Sequence, residues 1–206
     1  MLIKERFAST LELQRDNIIC PDGGKTGIFV KFQGSFEFTT LDYMYVIAGE
    51  VSLDWANDEI SKNLPNDAPI LGILHTITGS ARQNVGFMRY AASRGWRSCV
   101  LNRRGHSGMP LRVPYFSIMG NVDDTVLLVN QMRQRYPDNF IGLAGISAGS
   151  GQVVSYIGRE SSNVSVNVAA SLCPAWDLSS AFQHLQQRHP WVDRYVTRGI
   201  VNHFLR

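Results

Sequence analysis

The run Gly145-Ile146-Ser147-Ala148-Gly149 is the part of this chain best suited to covalent chemistry. A serine hydroxyl attacks an acyl carbon when it stands clear of its neighbours and when N–H donors meet the oxygen that gains charge. The G-x-S-x-G spacing answers the first need. It sets the serine at the tip of a tight turn, where residues two positions away must be small. Such a turn requires a strand before it and a helix after it. Asn139 to Ile146 reads as a short buried strand, and Ala148 to Gly158 carries Val153, Val154 and Ile157 at helical spacing. Free N–H groups at the start of that helix would stabilise negative charge beside the hydroxyl. Ser147 is the candidate catalytic nucleophile.

The other reactive side chains group less tightly. His75 stands in His75-Thr76-Ile77-Thr78-Gly79-Ser80 and reads as a packed loop histidine without a proton-transfer role. Asn102 to Gly108 holds Arg103, Arg104 and His106 and reads as a loop bracing the site's floor. The competing reading gives its arginines a carboxylate or phosphate to bind. His184, His189 and His203 lack the cysteine or acidic spacing of a metal centre, so no metal is expected. Cys20, Cys99 and Cys173 are far apart and odd in number, and are expected as buried thiols in a reducing compartment.

Positioning Ser147 needs a sheet, and from Pro69 onward strand and helix alternate. Ile70 to Leu74 is a continuous apolar run, as a strand buried on both faces should be. A short helix over Phe87 to Arg94 and a strand over Arg97 to Leu101 follow. Asn121 is expected to cap a helix running to about Arg135, with Val122, Val126, Val129, Leu128 and Met132 facing inward and Pro137 ending it. After the serine's helix comes an apolar strand over Val164 to Cys173, and from Asp177 on a helical pair. The alternation predicts an α/β fold with a parallel sheet and helices on both faces. Nearer the N-terminus, Cys20 to Gly24 reads as a turn and Val51 to Trp55 as a strand with alternating faces. Lys25 to Gly49 is aromatic-rich and shows no clean period.

At 206 residues with a formal charge of +3, the chain has the length of one domain and no basic stripe for nucleic acid. No apolar run reaches the length of a membrane span, and no signal peptide is read at the N-terminus. An intracellular location, cytoplasmic or membrane-associated, is the expectation.

Four stretches together resemble the α/β-hydrolases, and more narrowly their lipase-like branch often called the ABHD1/2/3 or YheT-like group. They are Pro21-Asp22-Gly23-Gly24 with Ser52-Leu53-Asp54-Trp55, then His75 to Ser80, then Asn102 to Gly108 with Pro110-Leu111, and Gly145 to Gly151 with Tyr156-Ile157-Gly158. The resemblance covers most of Asp16 to Arg206. It implies a mostly parallel, doubly wound sheet lacking its last strands, with residues 177–206 as the start of a cap region and 25–49 as an insertion. It also implies an oxyanion hole made by the backbone N–H groups of Ala148 and Ile77. Thr76 stands where the commoner pattern has glycine.

In that family the triad acid and histidine follow the serine on later loops, beyond the cap. Asp177 and Asp193 match the cap, and no histidine here occupies the family's histidine-loop context. The implied parent activity is hydrolysis of acylglycerol or short-chain esters through an acyl-enzyme on Ser147, without cofactor, with this chain expected to be inactive as given. The alternatives are a non-catalytic pseudo-hydrolase serving as a binding or interaction protein, and an incomplete gene model. A small ester or lipid is the implied partner. A membrane anchor, as some relatives have, would precede this chain's start. Val164 to Cys173, left as an open sheet edge, would favour oligomerisation unless residues 177–206 fold back over it.

Overall fold

The computed structural model describes residues 13–20, 49–109, 111, 117–174 and 176–204. Strands β3 (Ile70–Leu74), β4 (Arg97–Asn102), β5 (Ile141–Ile146) and β6 (Val168–Leu172) are mutually parallel, in the spatial order β4-β3-β5-β6. Strand β2 (Gly49–Ala56) pairs antiparallel with β4, and β1 (Leu13–Cys20) antiparallel with β2. The sheet order is therefore β1-β2-β4-β3-β5-β6. The mostly parallel α/β architecture expected from the alternating pattern is present.

Helices α2 (Val85–Ser93), α3 (Asp123–Arg135) and α4 (Ala148–Glu160) link the parallel strands, and a short α1 (Glu59–Lys62) precedes β3. The sheet is apolar on both faces. On one side Leu53, Ile70, Leu101 and Leu143 meet Leu128 and Met132 of α3 and Val153 and Tyr156 of α4. On the other, Ala56, Ile73 and Val100 meet Ala81 and Met88. Full burial of such large apolar side chains contributes roughly 1.5–3 kcal/mol each. Val122 and not Asn121 is the N-cap of α3, although Asn121 Oδ1, one residue earlier, accepts from the Asp123 N–H at 3.0 Å. Asp123 and Asp124 in the first turn and Arg133 and Arg135 in the last complement the helix dipole.

Two further expectations are corrected and a third is refined. Strand β2 does alternate faces, with Val51, Leu53 and Trp55 in one core cluster and Ala56 in the other, but Ser52 and Asp54 on the second face are as buried as Val51 and Leu53, because α2 packs on that side. Ser52 Oγ accepts from Asn102 Nδ2 at 3.2 Å, which satisfies that buried polar group. Strand β6 begins at Val168 and ends at Leu172, shorter than the apolar run that suggested it. Cys99 is buried as expected, but Cys173 is exposed, since the chain leaves the sheet there with φ of +58°.

Gly49 belongs to β2 and pairs with Cys20. The remainder of the expected insertion, residues 25–48, and the turn at 21–24 lie outside the described residues.

The C-terminal segment forms the expected helical pair, α5 (Leu178–Arg188) and α6 (Pro190–Phe204). Neither helix contains a buried residue, and Trp176, Trp191 and Tyr195 are each more than 70% exposed. The far end of α6 touches the body, where the rings of His203 and Phe204 lie 4.9 and 5.1 Å from that of His106. The pair leaves β6 uncovered: Val168 and Leu172 are 47% and 45% exposed. No helix among the described residues is long and apolar enough to cross a membrane.

Candidate active site

Strand β5 delivers Ser147 to the end of the sheet, and α4 begins at the next residue. Ser147 has φ of +53° and ψ of −115°, a conformation that costs a non-glycine residue about 1–3 kcal/mol. Its neighbours hold it there. The Ser147 N–H donates to Leu172 O at 3.0 Å, and Ser147 O accepts from the Ser150 N–H at 2.9 Å and from Ser150 Oγ. A Cβ on Gly145 would lie 2.3 Å from Gly149 O, and one on Gly149 2.1 Å from Leu74 O. Both contacts are with backbone, which cannot swing aside. The two glycines are therefore demanded by the approach of α4 to β5 and to the end of β3.

The Ser147 side chain is exposed and opens into a pocket of about 350 Å³. Met119, Val154, Cys173, Pro174, Trp176 and Leu178 supply much of the wall, and Ala148 lies beside the serine. Five non-glycine residues have positive φ among the described ones, and three of them, Met119, Ser147 and Cys173, line this pocket. Backbone strain concentrated at one cavity is a mark of a functional site. Spacing in the sequence pointed to Ser147 and Ala148 but not to Met119, Cys173 or Trp176, which reach the pocket through loop geometry.

The two N–H groups expected as oxyanion donors, of Ala148 in the pocket wall and of Ile77 outside its lining, lack acceptors among the described residues. Ala148 is the first residue of α4, so its N–H has no acceptor within the helix. Ile77 lies in the loop after β3, and its N–H has no hydrogen-bond partner among the described residues. The carbonyl of Ile77 is held by His106 Nε2 at 2.7 Å. Gly79 closes this loop by donating to Thr76 O at 3.0 Å, in a space where a Cβ would meet His75 and Thr76 at 2.9 Å.

Beneath the loop, Asn102 to Gly108 forms the brace expected of it. Arg103 is fully buried. Its Nη1 donates to Gln152 Oε1 of α4 at 3.1 Å, and its Nη2 to Thr76 O at 2.6 Å and His75 O at 3.1 Å. Arg104 instead pairs with the buried Asp124 of α3, with Nη2 3.1 Å from Oδ1. A protein carboxylate thus occupies Arg104, and backbone carbonyls occupy Arg103.

His75 is buried, with Nδ1 2.9 Å from Arg103 Nη2 and 2.7 Å from Thr76 O. Burial first, then the Arg103 charge, holds its pKa well below the ordinary value. His106 has a carbonyl at each ring nitrogen, Arg104 O at 2.9 Å and Ile77 O at 2.7 Å. Burial and then Arg103 lower its pKa to about 4. Both rings are neutral at pH 7, and a neutral imidazole has one N–H, so His106 satisfies one of its two carbonyls at a time.

No hydrogen bond reaches the Ser147 hydroxyl from His75, His106, His184, His189 or His203 among the described residues. Asp177 lines the pocket, but its carboxylate caps α5, accepting from the Ser180 N–H at 3.0 Å and Ser180 Oγ at 2.6 Å. Among the described residues there is no cluster able to hold a metal ion.

No family model matches the chain. It is similar to phospholipase ABHD3 of Bos taurus, 24% identical over 70% of this chain and 36% of that protein. It is also similar to the monoacylglycerol lipase of Saccharomyces cerevisiae, 25% identical over 74% of this chain and 34% of that protein. The chain spans about a third of the length of these curated relatives. Among solved structures, the Pyrococcus furiosus esterase Pf2001 superposes with a TM-score of 0.56 at 17% identity, covering 94% of this chain and 66% of that one.

Proposed function

We propose that this chain, similar in sequence to a phospholipase and a lipase and in fold to an esterase, is of the α/β-hydrolase kind and carries the nucleophile of a serine carboxylic-ester hydrolase. The observation that carries the reading is the strained, exposed Ser147 at the mouth of an apolar-walled pocket. The Ser147 Oγ adds to the ester carbonyl, and the oxyanion takes hydrogen bonds from the Ala148 and Ile77 N–H groups. Collapse of that intermediate expels the alcohol and leaves an acyl-enzyme, which water cleaves. Met119, Val154, Trp176 and Leu178 suit the acyl chain of an acylglycerol or a short-chain ester. Among the described residues no imidazole reaches Ser147, and a serine without one stays protonated and weakly nucleophilic, so attack rather than turnover is the step to follow. Acylation or phosphonylation of Ser147 is the step to measure.

The missing imidazole among the described residues also favours a second reading, a non-catalytic protein that binds an ester or lipid in the same pocket. A fluorophosphonate probe separates the two. The first reading expects labelling that maps to Ser147 and vanishes in Ser147→Ala with the thermal melt unchanged. A wild-type chain that binds a fluorescent acyl ester yet never takes the label establishes the second.

A further inference from the structure

Arg103 is costly where it sits. A buried guanidinium loses several kcal/mol of hydration, normally offset by a carboxylate. Arg103 has no ion-pair partner among the described residues, since Asp124 is engaged with Arg104. Its Nε is also buried without an acceptor. It remains protonated at neutral pH, with burial lowering its pKa only to about 10. The fork is spent on three uncharged oxygens: Gln152 Oε1 of α4 and the carbonyls of His75 and Thr76.

Those carbonyls matter because a trans peptide is planar, and its C=O and N–H point in opposite directions. Thr76 O shares a peptide plane with the Ile77 N–H. Arg103 and the Gly79 N–H both donate to that oxygen, and His75 Nδ1 lies 2.7 Å from it, so the plane is held from three sides, with the guanidinium as the charged donor. The Ile77 N–H is therefore turned away from Arg103 and left without a partner of its own among the described residues. In the next plane Ile77 O lies 2.7 Å from His106 Nε2, which holds it in the tautomer that carries the proton there. Arg103 also reaches Gln152, in the second turn of the helix that Ser147 opens. One side chain thus links the loop to the nucleophile's helix, and the wide planar fork of arginine suits a reach that a point-like ammonium does not.

We infer that Arg103 is a positioning residue: by clamping the His75 and Thr76 carbonyls against α4, it holds the Ile77 N–H free and aimed at the elbow as the second oxyanion donor. The inference rests on Ser147 acting as the nucleophile. It adds to that reading a residue that never touches substrate yet sets the hole's geometry. It also accounts for threonine at position 76, where the plane's orientation is imposed by Arg103 and not by glycine's freedom.

The test uses the full chain, with two readouts. By NMR, Arg103→Met moves the Thr76 carbonyl ¹³C and Ile77 ¹⁵N resonances and leaves those of Ile141 and Leu143 in place, and Arg103→Lys restores part of the shift. By labelling kinetics, the saturating rate of fluorophosphonate attachment to Ser147 falls on the order of 10²-fold in Arg103→Met, with half-saturation within about twofold, and Arg103→Lys recovers part of it. Gln152→Ala, which loosens the guanidinium's seat without removing a donor to the His75 or Thr76 carbonyl, shows both effects more weakly and serves if Arg103→Met does not fold. Unmoved Thr76 and Ile77 resonances overturn the inference whatever the label does. Moved resonances with an unchanged labelling rate overturn it as well. If the wild type takes no label, the hydrolase reading fails, and the resonance shifts still decide whether Arg103 sets the Ile77 N–H.

Discussion

The elbow and the β6 edge are made from similar small and apolar residues, and they end in opposite physical states. At the elbow, β5 lies between β3 and β6 with α4 pressed against it so closely that two glycines have no room for a methyl group. At the edge, Val168, Ala170 and Leu172 face outward uncovered, while Ala169 packs inward and Ser171 Oγ bonds Ser150 O at 3.0 Å. The difference is one of neighbours on both sides. An interior strand has every backbone group paired and both faces covered, whereas an edge strand has half of each. The surroundings of Ser147 thus belong to the packed part of the molecule, and the uncovered surface begins one strand away.

The largest expected effect sharpens this contrast from the elbow side. Gly149→Ala forces a methyl group against Leu74 O, so it destabilises the fold by about 3 kcal/mol or more, read from urea unfolding. An alanine variant with a wild-type midpoint would show that the elbow is looser than its geometry.

Next in size is a pH dependence confined to the brace. The folded-state pKa of His106 is about 4 against an ordinary 6.5, so the unfolded chain binds more protons between those values. Stability is then full above pH 6.5 and is lost as pH falls toward 4, by about 3 kcal/mol at 1.36 kcal/mol per pKa unit. His75 acts in the same direction. His106→Gln should flatten the acid limb of stability against pH, and an unchanged limb would place the acid sensitivity elsewhere.

The smallest expected change in stability is at the edge. Val168→Lys and Leu172→Lys shift the melt by about 0.5 kcal/mol or less, as surface substitutions do. They should nonetheless lower self-association, measured by light scattering at micromolar concentration, because lysine on an edge strand opposes pairing with another chain. A wild-type chain that is already monomeric would break the comparison by showing that something covers β6.

Much of this could be read from residue order, and the reasons are local. Gly-x-Ser-x-Gly constrains its own backbone, so Ser147 and the β5–α4 boundary were legible from five residues. Apolar runs such as Ile70 to Leu74 announce strands buried on both faces. In β2, Ser52 and Asp54 look solvent-facing, and only α2, which packs over their face of the sheet, explains their burial. Met119, Cys173 and Trp176 carry no local mark, since two separate loops, before α3 and after β6, bring them to one pocket. Arg103 was placed in a bracing loop by context. Its hold on the Thr76 carbonyl depends on an approach across 27 residues of chain that no pattern in the sequence encodes.

The register of β1 against β2 bears on how this gene can change. Cys20 sits opposite Gly49, so the chain leaves one strand and re-enters the other at adjacent points. Two fixed, neighbouring ends make the length between them nearly indifferent to folding: lengthening such a connection from four residues to some thirty raises the closure entropy by only about 2 kcal/mol, at roughly 0.6 kcal/mol per doubling. The β1–β2 connection is therefore a place where length can change at little cost to the fold and without disturbing the serine's end of the sheet.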